Sequence, residues 1–338
     1  MWLDELLQLS DAYRHTMPDT AMRLAHDPGG VPLAYLGENL VVNTLGHPFY
    51  TAHLFSIFCA IAGMASLIWL VGLLGNPGLA PLAASIYALL PISLRYAVEA
   101  RQYGPALAFS ICATALLVWL DRQPSWPRAV PYGLTLALGL YTQPYIAFIA
   151  IAQMLWALRR PAAKYVLAGC AGAALLFLPW YLYAHTSWVQ AVKTGGYQSS
   201  LAWNTPLMVL HELSGGGYFF SIALLALAAR GYRGSHRLLW YCALVPVPLA
   251  LIVNAWFHYF FAIRQLLFIV PPLCLLAAQG LWSLPKPGRT ALTVTLALAA
   301  LVYDFHWFTH SGNVGNARVF PVLQNDTISL GGIHIRIR

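Results

Sequence analysis

The chain has 338 residues, of which 59% are hydrophobic and only 9% charged, against roughly 25% charged in an average soluble domain. No soluble fold has enough interior for that much apolar surface, so the composition excludes an ordinary soluble domain. The net charge of +8 does not indicate a nucleic-acid partner either, because the basic residues are scattered in short loops and form no continuous stripe that would track phosphates.

Residues 1–48 hold Asp4, Glu5, Asp11, Arg14, Asp19, Arg23 and Asp27, and no signal-peptide pattern opens the chain. Within them, Val31 to Leu45 mixes apolar residues with Glu38, Asn39 and Asn43, which suits a helix lying in the plane of lipid headgroups. Apolar runs near the length of about 20 residues that a bilayer requires follow one another from there on. They cover 49–73, 79–95, 104–120, 163–184, 217–230, 237–257, 265–284 and 290–306. The stretch 129–158 reads as one kinked span or as two short ones meeting at Tyr141-Thr142-Gln143-Pro144.

Loop charge decides between the two, because Lys and Arg of short loops stay on the cytoplasmic side. With two spans, the loops 121–128, 159–164, 230–237 and 285–289 share one side and carry ten of the 19 basic residues but only Asp121 of the 11 acids. The expected fold is therefore all-α, a polytopic transmembrane bundle of about ten helices with a juxtamembrane helix on its outer face. Its parts are an external segment 1–48, the bundle 49–306 with an external loop 185–216, and an external tail 307–338. Both termini are expected outside, in what the short loops and lack of sorting signals suggest is a bacterial inner membrane.

The 12 Trp fit helix ends at lipid headgroups, where indole rings are favoured. Cys59, Cys112, Cys170, Cys242 and Cys274 all fall in apolar runs and read as packing residues rather than a disulfide framework. Gly215-Gly216-Gly217 lacks the Lys and Ser or Thr of a phosphate loop and reads as a hinge leading into a helix. The eleven histidines form no pair at zinc-site spacing, so the sequence offers no support for a metal.

Three clusters carry charge toward the outer side. Trp2-Leu3-Asp4-Glu5 places two acids together; neighbouring carboxylates raise one another's pKa, as a general base requires, while acids at a helix N-terminus are also simply stabilised by the backbone dipole. Arg95-Tyr96-Ala97-Val98-Glu99-Ala100-Arg101-Gln102-Tyr103 lies between two spans. Arg95 and Glu99, four apart, would share a helix face and pair, or the arginines would cradle a lipid phosphate. Arg264 precedes a later span and reads as a membrane anchor or a phosphate ligand.

In this order the clusters resemble the membrane-embedded glycosyltransferases of the dolichyl-phosphate-mannose protein mannosyltransferase type, members of the GT-C class. Asp4-Glu5 is similar to their acidic motif and Pro32-Leu33-Ala34-Tyr35-Leu36 to the segment that follows it. Glu99-Ala100-Arg101-Gln102-Tyr103 resembles their Glu-Ala-Arg-x-Tyr signature, and Arg264 with Leu266 to Gly280 their late arginine and span. His53 stands where such proteins often carry Arg. The family has a transmembrane helix before the acidic motif, so the resemblance implies that this first helix is missing here.

The resemblance implies a sugar transferase with a polyprenyl-phosphate-linked sugar as donor and a glycan, lipid or protein as acceptor, with membrane lipids around it and no resident cofactor. Asp4 would be the general base and Glu5 its neighbour. Arg101 and Arg264, with Arg95 and Lys193, would hold the phosphate, alongside Glu99 and Tyr103. A transporter or flippase of a lipid-linked molecule is the rival reading, and it should show charged or broken helices at mid-membrane. An inactive truncated fragment is a third.

Overall fold

The computed structural model describes residues 3–26, 30–194, 204–234, 237–257 and 263–310, together with short strands of the tail. Three helices precede the bundle: α1 (Leu3–Ala12), α2 (Met17–Ala25) and α3 (Pro32–Leu45). The stretch read as an interfacial helix is helical, as α3, and most of the other described residues of the segment are helical too. Its helices are held to one another by side chains that close orphan backbone groups. Asn39 Nδ2 donates to the Ala12 and His15 carbonyls at 2.6 and 2.8 Å, and Asn43 Oδ1 accepts the Arg14 N–H at 2.9 Å. These amides grip the α1–α2 turn, where Arg14 adopts a left-handed φ of 61°.

The bundle runs α4 (Pro48–Leu73), α5 (Ala80–Leu89), α6 (Pro91–Val98), α7 (Tyr103–Arg122), α8 (Trp126–Leu140), α9 (Ile146–Ala157) and α10 (Ala163–Thr194). It continues with α11 (Thr205–Glu212), α12 (Gly217–Arg230), α13 (Arg237–Leu244), α14 (Pro246–Phe257), α15 (Val270–Trp282) and α16 (Lys286–His310). Proline opens many of them: Pro32, Pro48, Pro91 and Pro246 are each the first helical residue, where the missing N–H has no intrahelical partner to lose. The tail adds two small antiparallel ribbons, Asn313–Val314 with Ala317–Arg318, and Val322–Gln324, Thr327–Leu330 and Ile333–Arg336 in order.

Six helices are long and apolar enough to cross a membrane, and eight segments are if each of two bent pairs counts as one span. The remaining two of the ten expected spans are α8 and α9, with 15 and 12 residues. At 1.5 Å per residue they reach only about 22 and 18 Å, short of the roughly 30 Å hydrocarbon core. They are nevertheless two antiparallel helices and not one kinked helix. Arg160, just past α9, pairs with Asp121 at the end of α7 at 2.6 Å, and Arg128 at the start of α8 donates to the Trp119 carbonyl at 2.8 Å. The chain therefore leaves and returns to the same end of the bundle. A similar link, Arg230 Nε to Ser283 Oγ at 3.0 Å, joins the other two arginine-bearing loops.

Two expectations change in shape. The span 79–95 is broken by 70° between α5 and α6, because Pro91 forces Leu90 into an extended conformation with ψ 123°. The described residues of the expected external loop 185–216 are mostly helical: α10 continues to Thr194 and α11 occupies Thr205–Glu212. The three glycines do form a hinge, with α11 and α12 bent by 83° and Gly215 and Gly217 at φ 73° and 77°.

The central helices are α7 and α15, whose apolar stretches are 72% and 78% buried, against 11% for α16 at the edge. Lipid chains are as apolar as leucine, so helices associate through close packing of small residues rather than through hydrophobic burial. Gly133 lies on Gly169 between α8 and α10, and Gly280 of α15 meets the Leu227 carbonyl of α12. Leu175, Ile252, Val302 and Phe305 stay outward, 62 to 73% exposed, as lipid-facing residues should.

Candidate active site

The charged clusters meet at the end of the bundle opposite the arginine-rich loops. α6 ends at Val98, and Glu99 is already extended at φ −72°, ψ 130°, so residues 99–102 form a turn before α7. Three side chains hold this turn. Glu5 of α1, 2% exposed, accepts the Ala100 N–H at 2.8 Å. His53 of α4 donates from Nδ1 to the Val98 carbonyl at 2.8 Å and stands 3.5 Å from Glu5 Oε1. Ser56, one turn further along α4, donates to the Arg101 carbonyl at 3.1 Å. α4 can approach this closely because Gly104 lies in the first turn of α7; a Cβ there would lie 3.1 Å from the Ser56 carbonyl oxygen.

Arg101 projects from this turn with its guanidinium 5.8 Å from the Tyr103 ring centroid. Tyr103 is 4% exposed and meets Tyr96 edge-on at 4.9 Å. The segment Ile263–Ile269, which carries the late arginine, packs against α7, and Arg264 acts with Glu99 and Arg95 on the Tyr96 hydroxyl. Glu5, Glu99, Arg101, Tyr103 and Arg264 are therefore gathered in one region. The side chains of Asp4 and Lys193 lie outside the described residues, although the backbone of Asp4 is part of α1.

Arg95 is directed elsewhere than an i, i+4 pair with Glu99 would require, because α6 stops before Glu99. Its guanidinium covers the Trp307 ring at 4.3 Å and donates to the Gly215 carbonyl at 3.3 Å. Tyr303 donates to that same carbonyl at 3.0 Å. Arg95 thus ties α6, the glycine hinge and α16 together.

Sequence reasoning did not single out Gln8, His53 or Ser56 as site residues, and it read Glu38 only as part of an interfacial helix. Gln8 Nε2 donates to Glu38 Oε2 at 2.6 Å in a buried contact. The available signal was an acid in an otherwise apolar helix. Burial holds the Glu38 carboxyl well above the usual carboxylate range, with Glu5 adding to the effect and the Gln8 hydrogen bond and Arg101 opposing it. Among the described residues, no three His, Cys, Asp or Glu side chains converge as a metal site would need.

A second face of this end is aromatic. Trp180 donates to the Gly30 carbonyl at 3.2 Å, and Tyr141 meets Phe177 edge-on at 5.3 Å. The Leu33 N–H bonds the Tyr141 carbonyl at 3.0 Å, so the α8–α9 turn supports α3 from below.

No family model and no curated protein matches the sequence. Among solved structures the chain is similar to the archaeal oligosaccharyltransferase AglB from Archaeoglobus fulgidus, in complex with an inhibitory peptide and a dolichol-phosphate, at a TM-score of 0.55 and 12% identity. The likeness covers 90% of this chain and 51% of that one, so the present chain spans about half the length of its structural neighbour. The protein is a polytopic helical membrane protein with a GT-C-like fold.

Proposed function

We propose that this protein is a membrane glycosyltransferase that moves a sugar from a polyprenyl-phosphate carrier to an acceptor hydroxyl. The observation that carries the reading is the docking of the acid-bearing helix α1, through Glu5, onto the turn that carries Arg101, in a GT-C-like fold. The neighbour's dolichol-phosphate and peptide are in keeping with a lipid-linked donor and a separate acceptor. With the arginine-rich loops cytoplasmic, the site faces the outer side.

Chemically, the acceptor oxygen attacks the anomeric carbon and its proton passes to the carboxylate of Asp4. The bond from the anomeric carbon to the phosphate oxygen breaks, and the electron pair leaves with the polyprenyl phosphate. Arg101 and Arg264 stabilise the charge that grows on that oxygen, and Tyr103 fixes Arg101 in place. Glu5 and Arg95 position backbone, Glu99 keeps the turn polar, and Lys193 of α10 adds positive charge for the phosphate. An apolar slot between α5, α12, α15 and α16, lined by Leu82, Ile86, Leu89, Leu224, Leu296 and Ala300, suits the isoprenoid tail.

The test is Asp4→Asn in membranes supplied with a polyprenyl-phosphate sugar. Transfer should collapse while donor binding persists; unchanged transfer removes Asp4 from the role of base.

A further inference from the structure

Glu38 of α3 and Gln8 of α1 meet beneath the site with side chains only 1% and 2% exposed. One hydrogen bond joins them, from Gln8 Nε2 to Glu38 Oε2 at 2.6 Å. The other oxygen of each group, Glu38 Oε1 and Gln8 Oε1, is buried and has no hydrogen-bond partner. Two orphaned acceptors on a single bonded pair are costly if both remain bare, and one proton between them removes the cost.

We propose that Glu38 is a neutral carboxylic acid whose Oε1–H donates to Gln8 Oε1, closing an acid–amide pair that clamps the helix carrying Asp4 and Glu5 to α3. Gln8 lies one helical turn beyond Glu5, so the clamp and the Glu5–Ala100 bond hold the same side of α1. The end of α1 is held separately, by Asn39 on the Ala12 carbonyl at 2.6 Å, so the clamp secures the middle of the helix between two fixed ends. Glu38 is in this sense a positioning residue.

The surrounding charges agree with a neutral acid. Burial most of all, and Glu5 and Asp11 of α1, disfavour a carboxylate at Glu38; the Gln8 hydrogen bond and Arg101 of the turn favour one and are outweighed. His53 of α4 faces Glu5 at 3.5 Å. On α2, Asp19 is engaged by the Thr16 hydroxyl at 2.6 Å, while Arg23 acts on His15 and Asp19. The clamp depends on the packing of α1 against α3 and not on what the site transfers.

The direction of its pH dependence follows. When α1 lifts away, Glu38 meets water and returns toward its ordinary value of 4.5. The docked state then binds more protons than the open one, so docking weakens as pH rises from that value to the docked-state pKa and levels off beyond it. Glu38→Gln supplies a permanent N–H where the acid has its proton, so the variant keeps the clamp and loses the dependence.

Hydrogen exchange of the α1 amides, Leu3–Ala12, measured by mass spectrometry on the full chain in lipid nanodiscs and corrected for intrinsic rates, reads this directly. The opening constant of the unsubstituted protein, relative to Glu38→Gln, should climb about tenfold per pH unit between about pH 5 and the docked-state pKa. A ratio that stays flat from about pH 5 to pH 8 means that Glu38 is ionised when docked, which overturns the proposal. Gln8→Ala supplies a second reading, which does not depend on the folding of the Glu38 variant. It should speed α1 exchange at least tenfold at every pH, as expected for a lost buried hydrogen bond; unchanged exchange also overturns the proposal.

Discussion

Glu5 and Ala100 are 95 positions apart in the chain, and the Glu5 carboxylate accepts the Ala100 N–H at 2.8 Å in the protein interior. This bond brings the N-terminal acidic motif against the Glu-Ala-Arg turn, so the two most suggestive sequence motifs belong to one structure. It also separates two adjacent acids by task, since Glu5 is committed to a backbone donor.

Replacing Glu5 by Ala strands the Ala100 N–H in a buried position, which costs about 1–3 kcal/mol. Glu5→Gln retains an acceptor oxygen at the same place and should cost less than half as much. Thermal unfolding in detergent, with limited proteolysis of residues 3–26, checks this order; equal losses for the two variants contradict the backbone role.

Arg95 and Trp307 should behave as a coupled structural pair, since the guanidinium covers the indole at 4.3 Å. A double-mutant cycle of Arg95→Ala and Trp307→Ala is expected to give a coupling of about 0.5–1 kcal/mol. Donor affinity should fall far less for Arg95→Ala than for Arg101→Ala. A reversed order restores Arg95 to a phosphate role.

The helical segments were legible because bilayer length and hydropathy report directly on single elements. Even the doubtful pair α8 and α9 could be read, from the charges that Arg128 and Arg160 place at one end. The fate of Arg95 was not legible, because its spacing to Glu99 implies a shared face only if the helix continues, and the helix stops at Val98. Nor was the burial of Glu38, whose partner Gln8 lies 30 positions away and is supplied by tertiary packing. The helical continuation of α10 through Thr194 escaped notice because its last turns are polar, although no proline interrupts them after Pro179.

Close packing of α12 on α15 gives a sharp prediction. A Cβ at Gly280 would fall 1.9 Å from the Leu227 carbonyl oxygen, so the backbones must separate. Gly280→Ala should destabilise the fold by on the order of 3 kcal/mol, whereas Gly72→Ala, with open space around it, should be nearly neutral. Unfolding in mixed micelles distinguishes them, and similar behaviour of the two contradicts the packing.

In the interior of the bundle, Tyr132 donates to Gln153 at 2.8 Å, and Gln153 donates to Thr114 at 3.1 Å. This chain ties α8, α9 and α7 through buried side chains. Gln153→Leu should lower stability by about 0.6–2 kcal/mol, and Tyr132→Phe should add little once Gln153 is gone. Additive losses would show that the two bonds act separately.

The most direct measurement of the central claim is release of polyprenyl phosphate from a polyprenyl-phosphate-linked sugar by the purified protein in nanodiscs with membrane-derived acceptors. The account predicts release that is matched by sugar incorporated into acceptor and is abolished by Asp4→Asn. Donor that binds yet is recovered intact on the opposite leaflet, with no phosphate released, would contradict a transferase and make the protein a carrier of lipid-linked sugars.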